Sequence, residues 1–286
     1  MIFLVLTILQ STAILVVMKL FTRFRIDNWQ AITVNYIVAT AFGFLVYDGS
    51  LQPAAIISKP WFAYALLLGL TFILTFIIFA LSAQKVGVAL TSVASKMSVV
   101  VPVIAGIILL GEKVNLLAGL GVLTALVAFY LTLGRGKTSS FPKQYVVFPL
   151  LLFVGNGVND ALMKYTEYHF IAGNNDLILF LAMVFLTALV LGIVNSILRY
   201  ARKRYMISMR NILAGIILGL LNFGSTFYIL KSMGLYDSAV VFPVTNAGIV
   251  SLSALTGFFL FREKLSKKNI AGIVLALIAI ILIANA

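Results

Sequence analysis

The chain consists of long apolar runs that are separated by short polar gaps. Most runs are close to 20 residues, the length a helix needs to cross a hydrocarbon core of about 30 Å. Backbone polar groups in lipid must bond inside their own segment, and barrel strands would alternate apolar and polar positions, so the runs predict helices. Ten spans are predicted, near residues 2–21, 30–47, 61–83, 88–110, 115–133, 145–164, 177–198, 210–230, 238–260 and 269–285.

The composition places this chain in lipid. Of its 286 residues, 62% are apolar and 10% are charged, against about 45–50% and 25% in soluble domains. The net charge of +13 lies in the gaps between the apolar runs, which is typical of membrane topology and argues against a nucleic-acid partner. The expected partners are the lipid bilayer and a small-molecule substrate.

Basic residues are distributed unevenly between the two sides of the predicted membrane protein. The odd-numbered gaps hold sixteen lysines and arginines and the even-numbered gaps hold four. Lysine and arginine accumulate in cytoplasmic loops. The count therefore predicts a multi-pass protein of the cell (inner) membrane, with the odd loops in the cytoplasm and both termini outside.

The two halves of the sequence repeat each other weakly but in order. Gly69 matches Gly219 and Lys96 matches Asn246 at a shift of 150, and Gly119 and Gly272 open the last helix of each half. Five helices per half is an odd number, so the second half enters the membrane in the opposite sense, as in many secondary transporters. The predicted fold class is an all-α membrane protein of ten transmembrane helices, built as two inverted five-helix repeats (1–134 and 145–286) around a central cavity, with a linker at 135–144.

Several short motifs resemble those of the drug/metabolite transporter superfamily, in particular its EamA-type ten-helix branch. They are the polar opening of the first helix with Lys19 near its end, an Ala-x-x-Ser face on the fourth helix, and Glu-Lys-hydrophobic motifs at 111–114 and 262–265. The resemblance covers essentially the whole chain. It implies export or exchange of small metabolites, often amino acids, and it implies cytoplasmic termini, opposite to the charge count.

Lys96 is the sharpest candidate for chemistry, because it lies at the centre of the fourth predicted span. A charged lysine at that depth costs about 2.5–3.5 kcal/mol on insertion scales, so it should face a cavity or a partner. Ser92, one turn earlier, shares its face. Lys96 is expected to bind an anionic group of the substrate or to carry a proton; a structural lysine that joins two helices is the alternative. Asn246, flanked by Pro243 and Gly248, is expected to lie opposite it, where an opened backbone would face the ligand.

The sixth span adds a polar stripe in which Asn156, Asp160 and Lys164 follow each other at intervals of four. Asp160 is a candidate proton or cation site, with an interfacial Asp160–Lys164 ion pair as the alternative. The other candidate substrate-binding residues are Asn159 on the same helix, Gln10 and Ser11 on the first, and Asn222 and Thr226 on the eighth. Lys19 is expected to extend to the interface, and Gly215 and Gly219 are spaced for close helix packing.

These residues favour a secondary transporter over an enzyme. One histidine, eight scattered acids and no cysteine supply no clustered catalytic or metal-binding set, so no enzymatic activity, metal or cofactor is expected. The sequence also lacks a phosphate-binding Gly-x-x-x-x-Gly-Lys-Ser/Thr loop. The predicted activity is export or exchange of small organic metabolites such as amino acids by alternating access; a channel or a membrane-embedded enzyme is the alternative.

Overall fold

The computed structural model describes residues 2–110, 116–133, 142–201, 208–233, 235 and 238–285. The predicted linker at 135–144 lies largely outside these residues, and so does the motif at 111–114 with Glu112. The α-helices, in chain order, are α1 (Ile2–Phe24), α2 (Asn28–Val46), α3 (Pro53–Ile57), α4 (Phe62–Lys85), α5 (Val88–Met97), α6 (Val100–Leu110), α7 (Leu116–Leu133), α8 (Val147–Phe170), α9 (Asn174–Ala201), α10 (Met209–Met233), α11 (Ser238–Phe259) and α12 (Lys267–Ala284).

The described residues form an all-helical, multi-pass membrane protein. Within them, eight helical stretches are long and apolar enough to cross a membrane, and the bent α5–α6 unit is one of these. Two shorter apolar stretches, Gly119–Leu133 and Val244–Phe259, lie in α7 and α11. The helical class of the fold is confirmed; the ten spans and the inverted repeat stay predictions.

The fourth predicted span is wrong in one respect, because it is not a continuous helix. α5 ends at Met97 and α6 starts at Val100. Pro102 has no N–H to donate to the carbonyl of Ser98, four residues earlier, and the N–H of Val101 bonds that carbonyl instead at 2.9 Å. The interruption therefore falls immediately after Lys96.

The ninth predicted span is wrong in the opposite respect, because its helix is continuous where an opening was expected. We expected Pro243 and Gly248 to open the backbone around Asn246, yet α11 runs unbroken through all three positions. Pro243 lies early in the helix and removes only its own N–H from the ladder. The backbone carbonyls near Asn246 therefore stay within the helix.

The contacts between helices define the bundle. α7 packs along α12, while α2 packs against both α9 and α10. α4 packs against α8 and α9, and α1 packs against α10 and α11. One apolar core joins α5, α7, α8, α11 and α12, and another joins α1, α2, α4, α9 and α10.

Glycines allow the closest approaches between these helices. An added Cβ on Gly219 would lie 2.6 Å from Val38 Cβ, and one on Gly215 would lie 2.6 Å from the carbonyl oxygen of Ala31. Small residues of this kind let backbones meet in lipid, where apolar association alone provides no driving force. The predicted packing role of Gly215 and Gly219 is confirmed, with α2 as the partner.

The close approaches recur at equivalent positions of the two halves. The contacts come in pairs. Within each pair, the two glycines lie about 150 residues apart in the sequence, and the two residues that they contact also lie about 150 residues apart. The pairs are Gly43 against Ala182 with Gly192 against Thr33, Gly69 against Thr187 with Gly219 against Val38, and Gly121 against Ile283 with Gly272 against Thr132. By these contacts Gly272 corresponds to Gly121, two residues after the Gly119 that the sequence comparison selected.

Alanine substitutions at these glycines test the packing. An added Cβ on Gly69 would lie 2.7 Å from the Val184 carbonyl oxygen, whereas one on Gly119 would have nothing within 4 Å. Gly69→Ala and Gly219→Ala should lower the free energy of unfolding by about 1–3 kcal/mol. Gly119→Ala is the control and should raise it by up to about 1 kcal/mol, since alanine favours helix. Melting in detergent measures all three, and equal effects at Gly69 and Gly119 would contradict the packing.

Candidate functional site

A cavity of about 520 Å³ lies between α2, α4, α8, α9 and α10. It reaches from Asn156, midway along α8, to Glu167, near the end of that helix. The Glu167 side chain is exposed. We call the surface where α8 ends and α9 begins the Glu167 face. Ligand pockets usually measure about 300–1,000 Å³, so the volume suits a small organic molecule.

Five of the predicted site residues line this cavity together. Three come from α8 and two from α10. They are Asn156, Asn159, Asp160, Asn222 and Thr226. The length of the apolar runs predicts the depth of these residues, and the helical spacing of four places Asn156 and Asp160 on one face of α8.

Asp160 is the central charged group of the cavity. Its side chain is open to the cavity. The cation that acts on it electrostatically is Lys96 of α5. A cation or proton site at Asp160 and an ion pair of Asp160 with Lys164 both stay predictions.

Lys96 lines a second, smaller pocket of about 140 Å³. Ser11 and Ser92, both predicted as site residues, line it as well, together with Ser95. The Ser92 hydroxyl donates to the Ala89 carbonyl oxygen at 2.7 Å. Within the described part of the chain, the Lys96 ammonium has no hydrogen-bond partner and no carboxylate within 4 Å, so its charge is free to act on neighbouring groups.

Two aromatic rings and one hydrogen bond separate the pockets. Phe76 and Phe79 of α4 line both of them, and their ring centroids lie 6.2 Å apart. Asn156 Nδ2, in the large cavity, donates to Ser95 Oγ, in the small pocket, at 2.8 Å. Lys96 and Asp160 therefore line neighbouring pockets, with Phe76 and Phe79 between them.

Two predicted site residues lie outside both pockets. Gln10 packs against Gly224 of α10, where a side chain larger than hydrogen would collide with its amide. Asn246 is partly buried in α11 and lines neither pocket. The sequence match of Asn246 with Lys96 indicates equivalent depth, but it does not fix the side of the helix that faces the cavity.

Sequence reasoning missed several lining residues. Tyr36 and Thr75 line the large cavity, and so do the rings of Phe72 and Phe185. The sequence gives little reason to select Tyr36, because an aromatic side chain in an apolar run is typical of a packed core. A polar hydroxyl in the middle of a span was the available signal.

A polar network joins the helices at the opposite end of the bundle, where α4 ends and α5 begins. We call this surface the Glu263 face. Glu263 accepts hydrogen bonds from the backbone N–H groups of Val88 at 2.7 Å and Ala89 at 3.3 Å. An acid at a helix N-terminus satisfies donors that have no partner within the helix and complements the helix dipole. The loop before α12 is thereby attached to the start of α5.

Lys19 completes this polar network, and its position corrects a prediction. We expected its side chain to extend to the interface, but its ammonium donates to the Gln84 carbonyl oxygen at 3.2 Å and lies 3.8 Å from Glu263. The physical reason is the buried carboxylate, which attracts the ammonium inward. Gln84 Nε2 also donates to the carbonyl oxygen of Met18 and to Asn28 Oδ1.

A second ion pair lies at the same end of the bundle. Asp27 caps α2 and receives two hydrogen bonds from the Arg199 guanidinium, at 3.1 and 2.9 Å. Asn211 Nδ2 donates to Gln30 Oε1 at 2.6 Å. These bonds tie the starts of α2 and α10 to the end of α9.

Room for Glu263 depends on two glycines. Gly87 precedes α5 with φ of 127°, a conformation that favours glycine, and a Cβ there would collide with the Glu263 carboxylate. Gly257 faces the same carboxylate. Burial raises the pKa of Glu263 above its ordinary value of 4.5, while the Val88 hydrogen bond and the charge of Lys19 lower it by less.

Comparisons with other proteins agree with the fold and name no function. No family model matches the chain. An uncharacterized protein of Haemophilus influenzae is 26% identical over 288 residues, which cover 97% of this chain and 95% of the relative. A protein of known crystal structure, described without a function, has a similar fold with a TM-score of 0.60 at 15% identity, over 97% of this chain and 95% of that one.

The raised pKa of Glu263 predicts a pH dependence of stability. A group whose pKa is raised by folding contributes stability below its unfolded pKa, and that contribution is lost as pH rises through the folded pKa. Glu263→Gln removes the titration, so its melting temperature relative to the parent should rise as the pH increases above the ordinary pKa of 4.5. Lys264→Gln, in the same loop and exposed, should show no such trend. A difference that stays flat with pH would contradict the assignment.

Proposed function

We propose that the chain is a secondary transporter, an exporter or exchanger that carries small organic metabolites such as amino acids by alternating access. The site is the large cavity, with Asp160 and the amides of Asn156, Asn159 and Asn222 as its polar groups. The architecture proposed is that of two inverted five-helix repeats, similar to the EamA-type branch of the drug/metabolite transporter superfamily.

One observation carries the proposal: a cavity with polar groups inside an apolar bundle extends towards one end, and side chains separate it from the other end. The cavity extends to the exposed Glu167. Between Asp160 and the Glu263 face lie Phe76, Phe79 and the network of Lys19, Gln84 and Glu263. A structure of this kind exposes its binding groups to one side of the membrane at a time, as alternating access requires.

The reciprocal glycine contacts support the inverted repeat. Gly43 meets Ala182, and the residues at the equivalent positions, Gly192 and Thr33, meet each other with the roles exchanged between α2 and α9. Exchange of roles is what a two-fold axis between two copies of one unit produces. Asp27 and Asp176 repeat the pattern: the backbone N–H of Asp27 bonds to Asn211, while the Asp176 carboxylate bonds to Trp61, 150 positions before Asn211.

One pair of helices departs from this symmetry, and the departure supports a second conformation. α1 packs on α4 near the Glu263 face. The equivalent pair, α8 and α10, has no comparable packing among the described residues, and the two helices line the large cavity instead. If the two halves exchanged conformations, α8 would close onto α10 and α1 would separate from α4. The cavity would then open at the Glu263 face.

A channel is the alternative function, and counterflow distinguishes the two. Liposomes are preloaded with unlabelled solute, and labelled solute is added outside. A carrier exchanges one for the other, so the labelled solute accumulates transiently inside the liposomes. A channel only equilibrates the two compartments. The natural absence of cysteine makes the chain suitable for a test in which one face is locked.

A cross-link across the Glu263 face should stop transport. Lys19 and Glu263 approach within 3.8 Å, so a Lys19→Cys, Glu263→Cys double variant should be joined by a short bifunctional thiol reagent. Counterflow of a labelled amino-acid mixture should fall to the background of empty liposomes, and it should recover when a reducible reagent is cleaved. The two single-cysteine variants, treated identically, are the controls. Unchanged counterflow in the cross-linked protein would contradict alternating access through this face.

A further inference from the structure

The large cavity carries negative charge and no positive charge of its own. Its lining includes two acids, Asp160 and Glu167, and no lysine, arginine or histidine among the described residues. Glu167 lies at the mouth and Asp160 lies deeper. An anionic solute would meet both carboxylates before it reached the Lys96 pocket, while a cationic group would be attracted inward.

The amide groups of the cavity also favour a hydrogen-bond donor as ligand. Each of three lining asparagines uses its Nδ2 to donate to a residue on another helix. The bonds are Asn156 to Ser95 at 2.8 Å, Asn159 to Thr75 at 3.2 Å and Asn222 to Asn35 at 3.2 Å. The carbonyl oxygens of Asn156 and Asn222 are left to accept, whereas that of Asn159 is buried without a partner and has almost no accessible surface. Carboxylate and amide oxygens together present acceptors, which an ammonium with its three N–H groups satisfies.

Aromatic rings complete the surroundings that an organic ammonium prefers. Tyr36, Phe72, Phe76 and Phe185 line the cavity and touch one another, with ring centroids between 6.0 and 6.5 Å apart. The faces of such rings attract cations, most strongly where water is excluded. The same rings accommodate an apolar body attached to the charged group.

Lys96 is an ammonium that the chain already holds near Asp160. It lies beyond Phe76 and Phe79 and acts on Asp160 electrostatically without bonding to it. A solute ammonium in the large cavity would approach Asp160 from the other side. The two cations would compete for one carboxylate.

We propose that the cavity binds solutes that carry an ammonium group, that Asp160 is the carboxylate that binds this group, and that Lys96 is a built-in cation that competes with it. The proposal rests on the transport function proposed above and names the substrate class of that cavity. It differs from the sequence-based expectation that Lys96 binds an anionic group of the substrate.

Two probes with a common skeleton and opposite charge test the proposal. They are 2-phenylethylamine and 3-phenylpropionate, and their affinities for purified protein are measured by thermal stabilisation, since a ligand of the folded state raises its melting temperature. The variants are Asp160→Asn, Asp160→Glu and Lys96→Met. Lys85→Met, which removes a lysine outside both pockets, is the control.

The parent should bind the amine and not the acid. Asp160→Asn should weaken amine binding by about tenfold or more, Asp160→Glu should retain most of it, and Lys96→Met should strengthen it several-fold because the competing charge is gone. Lys85→Met should leave it unchanged. Tighter binding of 3-phenylpropionate than of the amine, amine binding that survives Asp160→Asn, or no amine binding at all would overturn the proposal.

Counterflow on the same preparations separates this proposal from the transport function. Binding of the amine as described, without counterflow of the labelled amine, would refute transport and leave the ammonium site standing. Counterflow of 3-phenylpropionate without any of the amine would support transport and refute the ammonium site.

Discussion

A polar group in hydrocarbon must find its partner inside the protein, and this constraint governs the whole bundle. Lipid offers no hydrogen bonds, so each amide, hydroxyl and charge has to bond within its own helix, bond to another helix or face a water-filled space. Thr7 and Thr33 bond to carbonyls of their own helices, whereas Asn211 bonds to Gln30 and Glu263 bonds to the start of α5. Asp160 and Lys96 line the cavities instead.

The same constraint explains why glycine positions hold the bundle together. Apolar side chains gain little by leaving lipid for one another, so close van der Waals contact has to provide the attraction. Gly69 and Gly219 bring α4 against α9 and α10 against α2. α4 also packs against α8, and α8 packs against α5 and α6, which are interrupted just after Lys96. The proposed alternating access would require such packed helices to move as units about the site.

Sequence reasoning could predict depth along the helices but not the direction of each side chain. Apolar run length located α1, α4 and α10 within a few residues, and the spacing of Asn156 and Asp160 placed them on one face of α8. It did not predict that Tyr36 faces the cavity or that Asn246 does not, because rotation about the helix axis is set by packing between helices. The break after Lys96 could be predicted from Pro102, because proline lacks the N–H that continues a helix. The Lys19–Glu263 contact could not, since it joins residues far apart in the sequence.

The central claim is that one cavity is exposed to each side of the membrane in turn. Thr226 lines this cavity on α10, and the chain contains no other cysteine that would react. A Thr226→Cys variant is therefore labelled with a membrane-impermeant thiol reagent, added outside right-side-out vesicles and, separately, outside inside-out vesicles. The account predicts labelling in both preparations, while the reagent itself stays in the compartment to which it was added. Labelling from one face alone, or passage of the reagent across the membrane, would contradict it.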